Sequence, residues 1–166
     1  MDILELIRDD HLDSLTTVRE LLTIADRVDA ADRVAVLLGR LGEGLALHIQ
    51  SEQAAFSRGA QRRGPEFEEM LQRSARDHQM ISRLVRLCGS APPCADQRLY
   101  HALTTLEDVL GGHISRVQYQ LFQVLHDELD REERDDLGHL MMAEQVRLLV
   151  SRGEPRAEAA AQQQAA

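Results

Sequence analysis

The sequence predicts an all-α fold: an up-down-up-down four-helix bundle with an additional C-terminal helix. Three observations predict it. Apolar residues recur at spacings of three and four through almost the whole chain, which is the period of an amphipathic helix. No stretch shows the strict alternation of a half-buried strand. Gly, Pro and Asp gather at a few short breaks that divide the 166 residues into four long segments and a shorter fifth. Short connections between long amphipathic helices make consecutive helices antiparallel neighbours.

The first helix is predicted from Ile3 to Val28, with an apolar stripe through Ile7, His11, Leu15, Val18, Leu22 and Ala25. Its partner starts near Ala31 and carries Val34, Leu38, Leu41, Leu45, His48, Glu52 and Ala55 on one face. The third follows Gly64-Pro65, with Pro65 suited to a first helical turn, shows Leu71, Ala75, His78, Ile81 and Val85, and stops at Gly89. After Ala91-Pro92-Pro93 the fourth carries Leu99, Leu103, Leu106, Leu110, His113, Val117, Leu121 and Val124. The fifth, Arg131 to Ser151, presents Leu137, Leu140, Met141 and Leu148. We therefore expect one helical domain over residues 1–151 and a low-complexity, frayed tail of Ala, Glu and Gln over 152–166.

Composition narrows the function. A net charge of −9 argues against nucleic acid or an anionic membrane as partner, because both demand a basic face. Aromatic content of 3% without Trp excludes base-stacking platforms. The start, MDILELIRDDH, is acidic where a signal peptide is basic, and no apolar run reaches the ~20 residues of a membrane span, so a cytoplasmic location is expected. All 19 cationic side chains are arginine, which hints at a GC-rich bacterial source. Cys88 and Cys94 flank a Gly-Ser-Ala-Pro-Pro segment and are expected as free thiols. There is no Gly-x-Ser-x-Gly elbow, no phosphate-binding glycine loop and no Cys beside a His, so nucleophilic enzyme classes lack support.

Four of the seven histidines carry the functional signal. His11, His48, His78 and His113 fall one on each long helix, each on the apolar stripe. Residues equally far from a connecting turn share a layer of an antiparallel pair. His11 and His48 stand roughly 18 and 19 residues from the first turn, and His48 and His78 roughly 14 and 16 from the second. For His78 and His113 the values are roughly 15 and 20, a mismatch that a longer loop absorbs. All four are therefore expected in one layer. By contrast, His101 and His126 lie ~120° and ~140° around their helix from His113 and should face outward, as should His139 on the fifth helix.

Four imidazoles in an apolar layer each need a partner, at roughly 1–3 kcal/mol for each one left unsatisfied. A metal ion satisfies them together. Glu52, one turn after His48 on the same face, adds a carboxylate where an unpaired charge would be expensive. The expected metal ligands are thus His11, His48, Glu52, His78 and His113. Asp10 and Asp77 each adjoin a stripe histidine and point ~100° away from it, with Asp9 further round, so all three are expected as solvated charges or helix-end groups.

In order and spacing these segments resemble the hemerythrin family, in its bacterial single-domain form often called the HHE cation-binding domain. The resemblance covers most of residues 2 to 150. It rests on Ile3-Leu4-Glu5-Leu6-Ile7 with Asp10-His11, His48-x-x-x-Glu52, Asp77-His78, His113 with Leu121-Phe122, and the closing Glu132-Glu133-Arg134-Asp135-Asp136-Leu137-Gly138. It implies a non-haem iron centre inside the bundle, usually of two irons, held by histidines and two bridging carboxylates. His11, His48, Glu52, His78 and His113 match ligand positions. Three positions depart from the pattern. Val117 stands where HHE domains place a second Glu, and Gln118 where oxygen-carrying hemerythrins place an Asp. Ser82 stands where the third helix carries a second histidine. Gln118 would need a local π-bulge to point inward.

The depleted carboxylate set fits one metal ion, or two bridged by Glu52 and solvent-derived oxygen, better than a reversible oxygen carrier. The expected protein binds one or two non-haem irons, or another divalent metal. It would react with or sense dioxygen, peroxide or nitric oxide, or handle iron. The alternative is a degenerate bundle without metal, acting as a protein interaction or regulatory module.

Overall fold

Capping residues set the element boundaries in the computed structural model, which describes residues 1–59, 64–91 and 97–164. Helix α1, Ile3–Ile24, starts where the Asp2 carboxylate accepts from the Leu4 amide at 2.9 Å. It ends four residues before Val28. Arg27 turns extended and pairs with Asp29 at 2.7 Å, and a 3₁₀ turn over Val28–Ala30 leads into the next helix. The side chains of Asp26 and Asp29 offer the backbone alternatives to the helix, and Val28 is a weak helix former.

Helix α2 spans Ala31–Gly59. Helix α3, Pro65–Ser90, begins with Pro65 in its first turn after an extended Gly64. The Pro92-Pro93 break and Cys94 lie outside the described residues. Helix α4, Gln97–Arg116, runs into a π-helical turn, Val117–Leu121, and then α5, Phe122–Glu128. The π turn is marked by the Phe122 amide donating to the Val117 carbonyl, five residues back. Helix α6, Arg131–Gln164, opens with a reciprocal cap. The Glu133 amide donates to Asp130 Oδ1 at 2.9 Å, and the Asp130 amide to Glu133 Oε2 at 3.1 Å. It continues past Ser151, where the sequence places the end of the fifth helix. No strand occurs among the described residues.

The side-chain pattern then sets the packing. Helix α1 lies against α2 and α4, α2 against α3, and α3 against α4, while α6 packs over both α1 and α2. One apolar cluster joins the end of α1 (Val18, Leu21) and the start of α2 (Val34, Leu41) to the end of α3 (Ile81, Cys88) and the start of α4 (Leu99, Leu103). A second joins the start of α1 (Ile3, Ile7), the end of α2 (Phe56), the start of α3 (Phe67) and the Val117–Leu125 stretch to Leu137 and Met141 of α6. Consecutive helices thus contribute opposite ends to each cluster, and the histidine positions fall between the two. Cys88 is a free thiol inside the first cluster, where burial pushes its pKa up to about 11.

Gly138 admits the chain start onto α6. A Cβ there would lie 2.1 Å from the Met1 carbonyl oxygen and 3.2 Å from the Ile3 amide nitrogen. Gly138→Ala is expected to push residues 1–3 off α6 and lower stability by about 1–3 kcal/mol in denaturant unfolding. Gly39→Ala, with nothing within 4 Å of its added methyl, should be neutral or stabilise by up to ~1 kcal/mol.

Candidate metal centre

Each long helix places one histidine in the layer between the apolar clusters, and the four rings form a closed square. Ring centroids are 4.7 Å apart for His11–His48, 5.7 Å for His48–His78, 4.7 Å for His78–His113 and 5.0 Å for His113–His11. All four side chains are buried, as is Glu52 at 2% exposure. The distances counted from the connecting turns therefore land these residues in one layer. His101, His126 and His139 are exposed, as their angular positions require.

Within the square, donor atoms converge. His11 Nε2 lies 3.1 Å from His48 Nε2 and 3.2 Å from His113 Nε2. Glu52 Oε2 is 3.2 Å from His48 Nε2. One donor atom from each of His11, His48, Glu52 and His113 falls within 4.8 Å of all the others. His78 stands at the edge of this group, with Nε2 3.9 Å from Glu52 Oε2.

The carboxylates of Asp10 and Asp77 set the ring tautomers, which corrects the expectation that they are solvated or helix-end charges. Asp10 Oδ2 lies 3.1 Å from His48 Nδ1, and Asp77 Oδ2 lies 3.4 Å from His113 Nδ1. An ionised carboxylate only accepts, so each Nδ1 carries a proton and each Nε2 turns inward. The ~100° offset from His11 and His78 aims these aspartates at the adjacent helix rather than at water. Both are held in turn. Gln145 of α6 donates to Asp10 Oδ2 at 3.2 Å, and Arg116 donates to Asp77 Oδ2 through Nη2 at 2.7 Å and Nε at 3.1 Å. An Asp-His pair on two alternate helices is the sequence signal that could have found them.

Among the described residues, three buried side-chain atoms lack a hydrogen-bond partner: His11 Nδ1, His78 Nε2 and Glu52 Oε2. Ser74 Oγ donates to Glu52 Oε1 at 3.1 Å, leaving Oε2 as the unsatisfied oxygen. Two ligand atoms in neighbouring positions on one ion, each at about 2.1 Å, lie roughly 3.0–3.4 Å apart. The 3.1 and 3.2 Å separations around His11 Nε2 fit that spacing.

Val117 fills the remaining wall in place of the charged pattern, and Gln118 does not reach it. Val117 is buried at 3% exposure and joins the second apolar cluster. Gln118 is exposed even though it sits in the π turn that could have turned it inward. The wider turn keeps Val117 and Leu121 on the inner face instead. No family model, curated protein or solved structure matches this chain, so its chemistry is read from these side chains.

Burial drives the pKa values of His11 and His113 below the ordinary 6.5, and that of His78 down to about 4, with neighbouring imidazoles adding to the effect. Burial also opposes charge on His48, but the Asp10 and Glu52 carboxylates outweigh it and raise its pKa to about 9. For Glu52, burial favours the neutral acid, yet the facing His78 and His48 hold the carboxyl far below 4.5. A histidine with a depressed folded pKa makes the unfolded chain the better proton acceptor, so stability falls as pH drops below 6.5. The His48 contribution has the opposite sign: it is full below 6.5 and lost as pH rises toward 9. Metal-free protein is therefore expected to lose stability steadily as pH falls from 6.5 toward 4. His78→Leu should flatten that slope in urea titrations at a series of pH values.

Proposed function

We propose that this chain is a hemerythrin-like metal-binding protein. Its antiparallel helices would be an up-down-up-down four-helix bundle with α6 laid across one seam. One observation carries the reading: three imidazole Nε2 atoms and a carboxylate converge in a buried layer, close enough to share one ion. Protons alone meet this only if His48 holds a second one and stays charged and buried beside His11. A cation meets it without that.

The ion would be held by His11, His48, Glu52 and His113, with His78 available at the edge. Residues of this chain do the positioning. Asp10 and Asp77 fix two rings, Ser74 fixes Glu52 Oε1, and Gln145 and Arg116 hold the two aspartates. A non-haem iron bound here would supply one-electron redox chemistry and open positions for dioxygen, peroxide or nitric oxide. Among the described residues Glu52 is the one fully buried carboxylate, because Val117 occupies the position from which a second would face it. That charge supports one ion better than two, since two cations a few ångströms apart need anions between them. The metal-free interaction module is less well supported, because it leaves Glu52 Oε2 and His78 Nε2 without partners.

Untagged protein grown with iron should contain about one equivalent of iron or a substitute divalent ion. His48→Ala should reduce the content sharply and His126→Ala should leave it intact. Equal loss in both, or no metal in the parent under any loading condition, favours the interaction module.

A second measurement isolates the depleted wall. Val117→Glu buries an acid beside Glu52 and should destabilise metal-free protein by several (~2–5) kcal/mol. Added Fe²⁺ should restore much of the melting temperature, because the cation offsets the charge and gains a ligand. A mutant that gains nothing from metal means that no ion sits within reach of position 117.

A further inference from the structure

The square of histidines is open on the side between α2 and α3. A cleft of about 490 Å³ runs there, with Glu52 and His78 at its floor. Both are more than nine-tenths buried, and Glu52 Oε2 and His78 Nε2 lack hydrogen-bond partners. The volume decides what kind of molecule fits. A diatomic fills a small fraction of it, whereas sites of roughly 300–1,000 Å³ hold small organic molecules.

The lining is graded along its length. Residues Leu71 to Arg86 of α3 border the cleft, a run of roughly 22 Å. Leu71, Phe56 and Ile49 supply apolar wall, and Ser82 leaves room one turn beyond His78. At the other end stand Arg83 and Arg86, neither of which has an ion-pair partner among the described residues. In a chain of net charge −9, two unneutralised guanidinium groups beside an apolar wall form a local anion site of the kind carboxylates use.

We propose that the α2–α3 cleft binds a small organic carboxylate, with its acid group on Arg83 and Arg86 and its apolar body directed along the wall past His78 toward Glu52. This rests on the metal reading for its role, because a bound cation at Glu52 removes the repulsion an incoming anion would meet there. The cleft would then present an organic substrate to the metal centre, rather than a gas molecule alone.

Benzoate is the probe, with benzyl alcohol as its uncharged counterpart, titrated calorimetrically into metal-loaded and metal-free protein whose metal content is measured on the same samples. Benzoate should bind saturably to the loaded protein and more weakly without metal. Arg83→Gln/Arg86→Gln, both on the exposed surface, should weaken benzoate about tenfold or more while changing benzyl alcohol little and metal content not at all. Ser82→Leu should block both probes. Absence of saturable benzoate binding, or equal affinity for parent and double variant, overturns the inference and leaves the metal reading standing. Arginine-dependent benzoate binding in a parent that takes up no metal has the reverse meaning: the cleft is a ligand site and the metal reading fails.

Discussion

The packing of this protein is organised around imidazole lone pairs that must be buried and still be satisfied. Two apolar clusters close above and below one polar layer, and water cannot reach most of it. Two rings of that layer and the Glu52 carboxylate are each held by a side chain of a neighbouring helix. Asp10, Asp77 and Ser74 do this from within the four long helices, and Arg116 and Gln145 brace the aspartates from outside. Helix α6 is therefore more than a lid over the α1–α2 seam, because through Gln145 it reaches the ring tautomer of His48.

The same device occurs twice. Asp10-His11 on α1 faces His48 on α2, and Asp77-His78 on α3 faces His113 on α4. The two halves differ one turn further on, where the first has Glu52 and the second has Val117. Electrostatics follows that difference. Charge in the layer gathers on the α2 side, His48 becomes the basic imidazole, and His11 and His113 are held neutral. A symmetric pair of carboxylates would suit two cations. The asymmetric arrangement suits one cation, with room beside it.

Much of this was legible in the sequence. The stripe positions of His11, His48, His78, His113 and Glu52, together with the counts to each turn, place them in one layer because helical geometry is rigid over these lengths. Asp10 and Asp77 were not legible as ring partners, since stripe periodicity treats every direction off the apolar face as solvent, whereas in a bundle ~100° from the stripe is the next helix. The π turn at Val117–Leu121 carries no proline or glycine to mark it. Its presence does not disturb the stripe, which already puts Val117 and Leu121 inward, and Gln118 stays outside. The end of α1 at Ile24 is followed by the Arg27–Asp29 pair, a local pairing that hydrophobic pattern does not register.

Access to the layer is as uneven as its charge. The seam between α1 and α2 is covered by α6, with Gln145 placed against Asp10. Among the described residues, the seam between α2 and α3 has no such cover. There α3 presents Ser74, Ala75 and Ser82, whose short side chains leave a cleft down to Glu52 and His78. A large residue at any of these positions would close the seam and bury more apolar surface, which is the direction stability alone would favour. Keeping the seam open leaves His78 Nε2 and Glu52 Oε2 without partners, at a cost of about 1–3 kcal/mol for each unmade hydrogen bond. The openness of this seam and the unpaired atoms beneath it therefore have one origin, the short side chains that α3 presents at Ser74, Ala75 and Ser82.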